Sequence, residues 1–535
     1  MLEQGAALLR QHGIVSDLDL GPLLDPETPF PGDALLRQRL QHMYDAGAWV
    51  LMESALADLP ADLRWLFESG AVTLPELAAI HRATGATSAS DVAAAIDAGL
   101  LRTIPGLDES KEQAIVAALP TLRASIPRVP LGRAIAIVDP IVEKLAATPG
   151  IGWATPAGSL RRGQETVGDL EIVASATDPA QAVDDLSRHP DAVRVLHRGA
   201  RSIYLLFDRV QLGVRLPSSE NAGSTLWRLT GSPAHVNAIS RLARERGVDI
   251  SHAATEEELY ARVGLPFIPA EIRDGADEIA AARDLRLPTL VSGTDIRGDL
   301  HMHTSWSDGR DSVEAMVAAC HALGYEYIAI TDHSPRSAAS RTLTPDGVSE
   351  QADEIAAMRE QYPGLTIFHG CEVDILPDGT LDFPDRVLEQ LDIVLASLHD
   401  AAGQPPQRLE QRYEAAMRHP LVTLITHPTN RMLPYRAGYK LDYGRLFAIA
   451  VETGTFMEID GAPGHLDMDG ALARRAVAAG VDVAIDSDCH RAEMLGRQMA
   501  LGITTARRGW VEPKHVLNTR PAAEVRALIR AKRKS

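Results

Sequence analysis

The chain has 535 residues and a formal net charge of −19, with 45% hydrophobic and 23% charged residues. This length exceeds what one hydrophobic core supports and predicts about two to four domains, while the acidic balance argues against a general nucleic-acid-binding protein. Three scattered cysteines exclude a disulfide framework, and no apolar run reaches the roughly 18–20 residues that span a bilayer, so we expect a cytoplasmic protein without a membrane partner.

Residues 1–128 are rich in alanine and leucine at helical spacing and predict a helical domain. Within it, 104–115 (IPGLDESKEQAI) resembles a helix-hairpin-helix, whose glycine-rich turn offers backbone N–H groups to a DNA phosphate. Asp108 and Glu109 stand where a second glycine is expected, and their charges would repel a phosphate. The segment therefore fits an ordinary helical hairpin as well as it fits a DNA anchor.

The next segment, 129–273, alternates helices with short apolar strands and predicts an α+β domain. Its candidate strands are 170–174, 202–207 and 210–216, the last two joined as a hairpin. Residues 274–297 are polar and acidic, which is typical of a linker between domains.

From residue 298 to residue 535, apolar runs of strand length alternate with helical segments, which is typical of a parallel βα barrel. In such a barrel the carboxyl ends of the strands converge on one mouth. Histidine and acidic side chains stand at these ends in strand after strand: His301, His303, Asp308, His333, Glu372, His399, His427, Asp488 and His490. A histidine at one strand end is usually an ordinary polar residue, but this recurrence favours a metal centre.

These nine ligands are too many for one ion, and imidazole together with carboxylate suits Mn²⁺, Zn²⁺ or Fe²⁺. In His301-x-His303 and Asp488-x-His490, alternate residues of one strand point to the same face, so the two members of each pair can bind one metal ion together. We therefore predict that the barrel holds roughly two to three divalent cations.

The motifs DLHMHTSWSDG, ITDHS, GCEVDIL, SLHD, HPTNR and DSDCH, in this order, resemble the polymerase-and-histidinol-phosphatase (PHP) domain of bacterial family X DNA polymerases. The resemblance implies a distorted (βα)₇ barrel, up to three metal ions, and a mechanism in which water activated by cations attacks phosphorus. It assigns one ion to His301, His303, Glu372 and Asp488, a second to His399 and His427 with Glu372 as the bridge, and a third to Asp308, His333 and His490.

The segment HPTNR adds a candidate catalytic residue. Arg431 is placed to clamp a substrate phosphate, and an ordinary surface ion pair is the alternative. Asn430 stands where the family usually has glycine, which leaves the conformation of this loop open. Tyr439 and Lys440 lie farther along, in a loop that could line the mouth.

The run GSLRRGQETVGDLEIV, residues 158–173, resembles the palm motif of family X polymerases, in which two alternating aspartates follow a Gly-Ser pair and an arginine. The resemblance implies that Asp169 and Glu171 are the catalytic carboxylates of a residual Mg²⁺ site, because alternate strand residues share a face. It also implies nucleotide-binding contacts from Gly158, Ser159, Arg162, Gly231 and Ser232.

The palm motif departs from the family pattern at two carboxylates. Glu171 replaces an aspartate, and its extra methylene displaces the carboxylate by roughly an ångström, enough to harm in-line geometry. Gly213, in VQLGVRL, stands where the third carboxylate belongs and can neither bind a metal nor accept a proton. We therefore predict an inactive or impaired polymerase domain.

Four functions remain open. The first is a 3′–5′ exonuclease of DNA repair that processes the 3′ ends of gapped or nicked DNA, with the PHP barrel as its catalytic centre. The second is an active gap-filling polymerase with such an exonuclease. In the third, the polymerase-like domain is a non-catalytic module that binds nucleotide or nucleic acid. The fourth, which the acidic composition favours, is a small-molecule phosphatase similar to histidinol-phosphate phosphatase.

Overall fold

The computed structural model describes residues 29–30, 37, 63, 66–67, 69–86, 89–125, 128–168, 170–190, 192–207, 210–337, 339, 341–399, 404–433 and 435–534. The chain forms two compact units. The first comprises residues 1–127 and 179–214, and the second comprises residues 128–178 and 215–535. The division into four consecutive segments stays a prediction.

The helices of the described residues, in chain order, are α1 (Leu74–Thr84), α2 (Ala89–Asp97), α3 (Glu109–Ser125), α4 (Leu131–Ala146), α5 (Gly158–Arg161), α6 (Pro179–Ser187), α7 (Ala222–Thr230), α8 (Pro233–Arg246), α9 (Glu256–Arg262), α10 (Glu278–Arg283), α11 (Val313–Ala322), α12 (Pro345–Gln361), α13 (Asp385–Leu388), α14 (Pro406–Arg418), α15 (Tyr443–Thr453), α16 (Gly470–Ala478), α17 (Leu495–Arg508) and α18 (Ala522–Lys532). The strands are β1 (Val129–Pro130), β2 (Ile151–Pro156), β3 (Thr166–Val167), β4 (Leu170–Ala176), β5 (Arg194–Arg198), β6 (Ser202–Phe207), β7 (Val210–Arg215), β8 (Gly298–Asp299), β9 (Tyr327–Ile330), β10 (Thr366–Asp374), β11 (Ile393–Ser397), β12 (Val422–Ile425), β13 (Phe456–Asp460) and β14 (Val483–Asp486). None of the described helices has the length and apolar character needed to pass through a bilayer.

The described part of the predicted helical domain, mainly residues 69–86 and 89–125, is helical, as predicted. Helix α1 begins with a capping box, in which the Thr73 N–H donates to Glu76 Oε2 at 2.7 Å and the Glu76 N–H donates to Thr73 Oγ1 at 3.4 Å. It ends at Gly85, whose φ of 70° is left-handed and suits glycine. Buried apolar side chains such as Ile80 and Val92 face a common core.

The turn before α3 is the segment that resembles a helix-hairpin-helix. Asp108 Oδ1 accepts the N–H of Lys111 at 2.9 Å, so this carboxylate already satisfies one of the amides at the start of α3. Arg102 donates to Glu112 Oε1 at 2.8 Å. Both contacts are internal to the hairpin and favour the ordinary structural interpretation.

Strands β5, β6 and β7 lie side by side in the first unit, up to Val214. Strands β5 and β6 are antiparallel, with Arg194 opposite Leu206. The observed bounds of β6 and β7 agree with the two strands predicted there, while Asp208 and Arg209, at the predicted hairpin turn, lie outside the described residues.

In the second unit, the segment that resembles a palm packs on the barrel. Strands β2 and β4 pair antiparallel, with Thr155 opposite Val173. Gly163 has a φ of 64°, and a Cβ added there would approach Thr504 Cγ2 of α17 to 2.1 Å. This close approach requires glycine and sets the palm segment against a barrel helix.

The seven strands β8 to β14 form one parallel sheet in chain order. A further parallel bridge between Met302 and Cys489 joins the ends of the first and last strands, so the sheet is nearly closed. Leu300, Phe368 and Leu424 belong to the apolar core inside it, and a second core lies between the strands and the surrounding helices. The predicted distorted (βα)₇ barrel is confirmed.

The predicted linker contains helix α10 and contacts the barrel. The Val291 N–H donates to the Val511 carbonyl at 2.9 Å. Arg507 of α17 donates to the Val291 carbonyl at 3.0 Å. These contacts attach the segment to the barrel surface along part of its length.

Candidate metal centre

Nine side chains from the barrel loops and strand ends meet at the mouth, and most of them are buried. Three overlapping sets have ligand atoms within 4.8 Å of one another: His303 with Asp308, His333 and His490; His301 with His303 and Asp488; and His333 with Glu372 and His399. The remaining histidine, His427, reaches the same place, because its Nε2 lies 2.8 Å from Glu372 Oε1.

Glu372 lies at the centre of the cluster. Its Oε2 is 2.9 Å from His333 Nδ1 and 3.4 Å from His301 Nε2. Its Oε1 faces the other side, 2.8 Å from His427 Nε2 and 3.6 Å from His399 Nε2. One carboxylate therefore faces ligands from both sides, which is the arrangement that a bridging ligand requires.

Two further carboxylates complete the cluster. Asp488 Oδ1 lies 3.0 Å from His303 Nε2 and 3.6 Å from His301 Nε2. Asp308 Oδ1 lies 3.3 Å from His490 Nε2 and 3.5 Å from His333 Nε2. Each carboxylate is thus shared by two imidazoles.

Two carboxylates that the sequence did not single out hold the ligands in place. Glu458 Oε1 accepts a hydrogen bond from His301 Nδ1 at 2.6 Å, and Glu458 Oε2 accepts the backbone N–H of His427 at 2.6 Å. Asp374 Oδ1 accepts a hydrogen bond from His399 Nδ1 at 3.1 Å. With the proton fixed on Nδ1, the lone pair of Nε2 faces the centre.

The backbone is left-handed at two of the ligands. His427 has a φ of 24° and Asp488 a φ of 47°, which is costly for residues with a Cβ. Asn430, at 49°, lies in the same region, and asparagine tolerates it better than most residues. This explains how asparagine occupies a position where the family usually has glycine.

Burial and mutual contact set the charges of the centre. Burial alone would raise the pKa of Glu372, but the neighbouring His301 and His399 hold that pKa well below its usual range. Burial likewise disfavours charged imidazoles, but Glu372 raises the pKa of His333 to about 10 and that of His427 to about 9. The metal-free centre therefore carries protons that a cation would displace.

The residues present fit divalent cations. Glu372 Oε2 is buried and accepts no hydrogen bond from the described residues, although a cation would satisfy it. The Nε2 atoms of His301 and His303 lie only 3.1 Å apart, so they need a shared proton or a cation between them. Six imidazoles and three carboxylates form the mixed ligand set that Mn²⁺, Zn²⁺ and Fe²⁺ accept.

Comparison with known proteins identifies the family. The PHP domain family matches residues 299–430. Over 507 residues the chain is 34% identical to the DNA polymerase/3′-5′ exonuclease PolX of Bacillus subtilis, which covers 92% of this chain and 88% of that protein. The chain belongs to the PolX family. The family predicted from the motifs is confirmed, and the PHP barrel makes the protein a phosphoesterase.

Other known proteins resemble a smaller part of the chain. A probable phosphatase of Thermoanaerobacter sp. strain X514 is 30% identical over 210 residues, which cover 37% of this PolX-family chain and 81% of the phosphatase. Among solved structures, histidinol phosphate phosphatase of Lactococcus lactis, in complex with Zn, L-histidinol and phosphate, covers 40% of this chain and 95% of its own, with 14% identity and a TM-score of 0.31.

Arg431, the predicted phosphate clamp, is buried beside the centre rather than exposed in it. Its Nε donates to the His465 carbonyl at 2.9 Å, and a second nitrogen donates to the Leu466 carbonyl. Its third nitrogen lies 3.3 Å from Glu165 Oε1 and 3.8 Å from Asp469 Oδ2. These contacts favour the ion-pair alternative, and the clamp stays a prediction.

Of the two palm carboxylates predicted from the PolX pattern, the structure describes only Glu171. Asp169 is outside the described residues, so its side chain has no described position. Glu171 is buried, and its Oε2 lies 3.2 Å from Arg215 Nε. The second carboxylate position of the PolX palm is therefore occupied by an internal ion pair.

The predicted nucleotide contacts also have internal hydrogen bonds. Arg162 donates to the Thr230 carbonyl at 2.6 Å, and Ser232 Oγ accepts the His235 N–H at 3.1 Å as the N-cap of α8. The carbonyl of Ser159 accepts the Gln164 N–H at 3.0 Å. Gly158 and Gly231 flank these bonds, Gly158 with a left-handed φ of 67°. The nucleotide-binding assignment of all five residues stays a prediction.

Proposed function

We propose that this PolX-family protein is a divalent-metal-dependent 3′–5′ exonuclease that processes DNA ends in repair, with the PHP barrel as its main catalytic centre. The observation that carries the proposal is that nine candidate metal ligands, with Glu372 at their centre, meet at one barrel mouth. The exonuclease activity in the name of the Bacillus subtilis relative supports it.

The chemistry follows from the ligand set. Cations bound by these residues would lower the pKa of a water molecule and neutralise the charge that develops on the phosphoryl oxygens. Glu372 holds the two sides of the centre together, while Glu458 and Asp374 fix the orientation of the imidazoles. This rigidity keeps the ligands in the geometry that phosphoryl transfer requires.

The substrate reaches the centre on its outer side. The side chains of His490, Asp308 and His399 are 35%, 28% and 24% exposed, whereas those of His301 and His303 are completely buried. A phosphodiester therefore meets first the ligands that the family resemblance assigns to the second and third ions.

The test is the degradation of a 5′-labelled oligonucleotide in Mn²⁺. The full-length protein is expected to shorten the strand from its 3′ end, and His303→Ala or Asp488→Asn is expected to abolish the shortening. His321→Ala, an exposed histidine of α11 outside the cluster, is the control and keeps full activity. Degradation that persists in both ligand variants would contradict the proposal.

We also infer that the palm no longer supports template-directed polymerisation, because Gly213 supplies no carboxylate and Glu171 is paired with Arg215. Primer extension across a gapped duplex tests this inference. We expect no incorporation above background. Incorporation by the wild type that disappears in Asp169→Ala would contradict the inference and restore the gap-filling polymerase.

A small-molecule phosphatase is the second candidate, favoured by the similarity of 37% of the chain to a probable phosphatase over 81% of that protein's length. The two candidates differ in substrate size. Rapid hydrolysis of a phosphate monoester such as histidinol phosphate, with no effect on DNA, would support the phosphatase and exclude the exonuclease.

A further inference from the structure

The barrel mouth carries a hairpin, the described residues 430–433 and 435–440, which begins three residues after the candidate ligand His427. Met432 and Arg436 pair across it as an antiparallel bridge, and the Met432 N–H donates to the Arg436 carbonyl at 2.9 Å. The Arg436 side chain donates to the Asn430 carbonyl at 2.9 Å and to Asn430 Oδ1 at 2.6 Å. The base of this mouth hairpin is therefore rigid.

The mouth hairpin is also fixed to the metal centre. The Leu433 N–H donates to the Gly464 carbonyl at 2.7 Å, and His465 Nδ1 donates to the Arg431 carbonyl at 2.9 Å. The ring of His465 stacks on the ligand His427, with 5.4 Å between the ring centroids. The hairpin and the 461–466 loop thus form one wall beside a metal ligand.

The tip of this wall presents an aromatic side chain to solvent. Tyr435 is 86% exposed, the largest exposure among the large hydrophobic side chains of the described residues, and Met432 beside it is 38% exposed. Among the described residues, no carboxylate lies within 4.0 Å of the Arg436 guanidinium or the Lys440 ammonium. The exposed ring of Tyr435 and the positive charges of Arg436 and Lys440 thus lie together on this hairpin, whereas the chain as a whole has a net charge of −19.

We propose that the mouth hairpin binds the unpaired nucleotides at a DNA 3′ end, with a base stacked on Tyr435 and the phosphates beside Arg436 and Lys440. This inference rests on the proposed exonuclease and specifies the form of its substrate. A tyrosine ring stacks on the open face of a base, which single strands offer and duplexes hide, and lysine and arginine neutralise the backbone. A small phosphate ester bound at the centre would not need to contact a ring at the hairpin tip.

The experiment measures binding and cleavage separately in the full-length protein with Mn²⁺. Binding is followed by the fluorescence anisotropy of a labelled single strand whose 3′ linkages are phosphorothioates. We expect Tyr435→Ala to weaken binding about ten-fold or more and Tyr435→Phe to stay near wild type, because phenylalanine keeps the stacking face. Lys440→Gln is expected to lower the salt dependence of binding by about one phosphate contact.

A DNA strand that lacks its terminal bases separates the contribution of base stacking to the affinity from that of the phosphate contacts. Wild type should bind this abasic strand as weakly as Tyr435→Ala binds the normal strand. Tyr435→Ala should bind the abasic strand and the normal strand with the same affinity. Val451→Ala, an apolar residue of α15 that is 48% exposed, is the control and should bind as wild type. Equal metal content in all variants excludes damage to the centre.

The outcomes separate the two proposals. The hairpin proposal is overturned if Tyr435→Ala binds the normal strand as tightly as wild type, or if wild type binds no single strand. It is also overturned if Tyr435→Ala lowers the affinity for the abasic strand as much as it lowers the affinity for the normal strand. If binding depends on Tyr435 as expected but the unmodified strand is never shortened, the hairpin proposal holds and the exonuclease proposal fails.

Discussion

Glu458 offers the sharpest test of how the centre is built, because its two oxygens serve two different ligands. Oε1 accepts the His301 Nδ1 proton and Oε2 accepts the His427 N–H, both at 2.6 Å, and the side chain is completely buried. Glutamine at this position has the same shape but only one acceptor. One of the two contacts must then place two N–H groups against each other.

The size of the effect follows from these contacts. A hydrogen bond to a charged group contributes about 1.5–3 kcal/mol, and a buried donor left unsatisfied costs about 1–3 kcal/mol. The loss of such an outer carboxylate typically lowers metal affinity by about 10–100-fold, which corresponds to about 1.4–2.7 kcal/mol. The two estimates agree, so we expect Glu458→Gln to weaken metal binding by at least about ten-fold.

The assay is a metal titration against a chelator of known affinity, followed by metal analysis of the dialysed protein. Glu452→Gln, which neutralises an exposed carboxylate of α15 paired with Arg418, is the control and should bind metal as wild type does. Circular dichroism of the metal-free variants separates loss of ligand orientation from loss of fold. Wild-type metal affinity in Glu458→Gln would refute the reasoning.

Three further outcomes are expected. Asp374→Ala should weaken metal binding by up to about ten-fold, which is less than Glu458→Gln, because Asp374 orients only His399. Asp374→Asn keeps an acceptor for His399 and should bind metal nearly as wild type does. Equal losses of metal affinity in the two Asp374 variants would contradict this prediction. Because His333 and His427 have pKa values raised to about 10 and about 9, both hold protons at lower pH in the metal-free protein, so metal affinity should rise as pH increases toward 9, and calorimetry in two buffers should detect proton release; a pH-independent affinity would contradict it. Leu424→Ala, inside the barrel, should lower the free energy of unfolding by about 2–5 kcal/mol in thermal denaturation, and an unchanged midpoint would contradict its place in the core.

The barrel could be predicted from the sequence because its signal is local. Each strand is a short apolar run, and a histidine or acid at or just beyond its carboxyl end stands out against the apolar residues before it, as Glu372 and His399 do. Parallel strands in chain order then bring these ends together without further information. The position of each candidate ligand along its own strand was enough to predict that these side chains meet at one mouth.

The supporting carboxylates could not be found in the same way. Glu458 is one acid within the strand FMEID, and its partner His301 is 157 residues away, so only the folded barrel shows their contact. Asp374 carried a weaker signal, since it alternates with Glu372 on β10 and so shares its face. Strand β5, RVLHR, was missed because its charged, partly exposed residues lack the apolar alternation of a buried strand.

The acidic composition of the chain and the proposed nucleic-acid substrate are compatible once local charge is considered. The ligand set has only three carboxylates, so two or three divalent cations together with their direct ligands would have a net positive charge. Arg436 and Lys440 add positive charge on the hairpin beside it, whereas the chain as a whole has a net charge of −19. Surrounding negative charge repels a long duplex, while a single strand that enters the mouth meets cations first. The overall acidity is therefore compatible with the proposed attack at DNA ends and disfavours binding along a duplex.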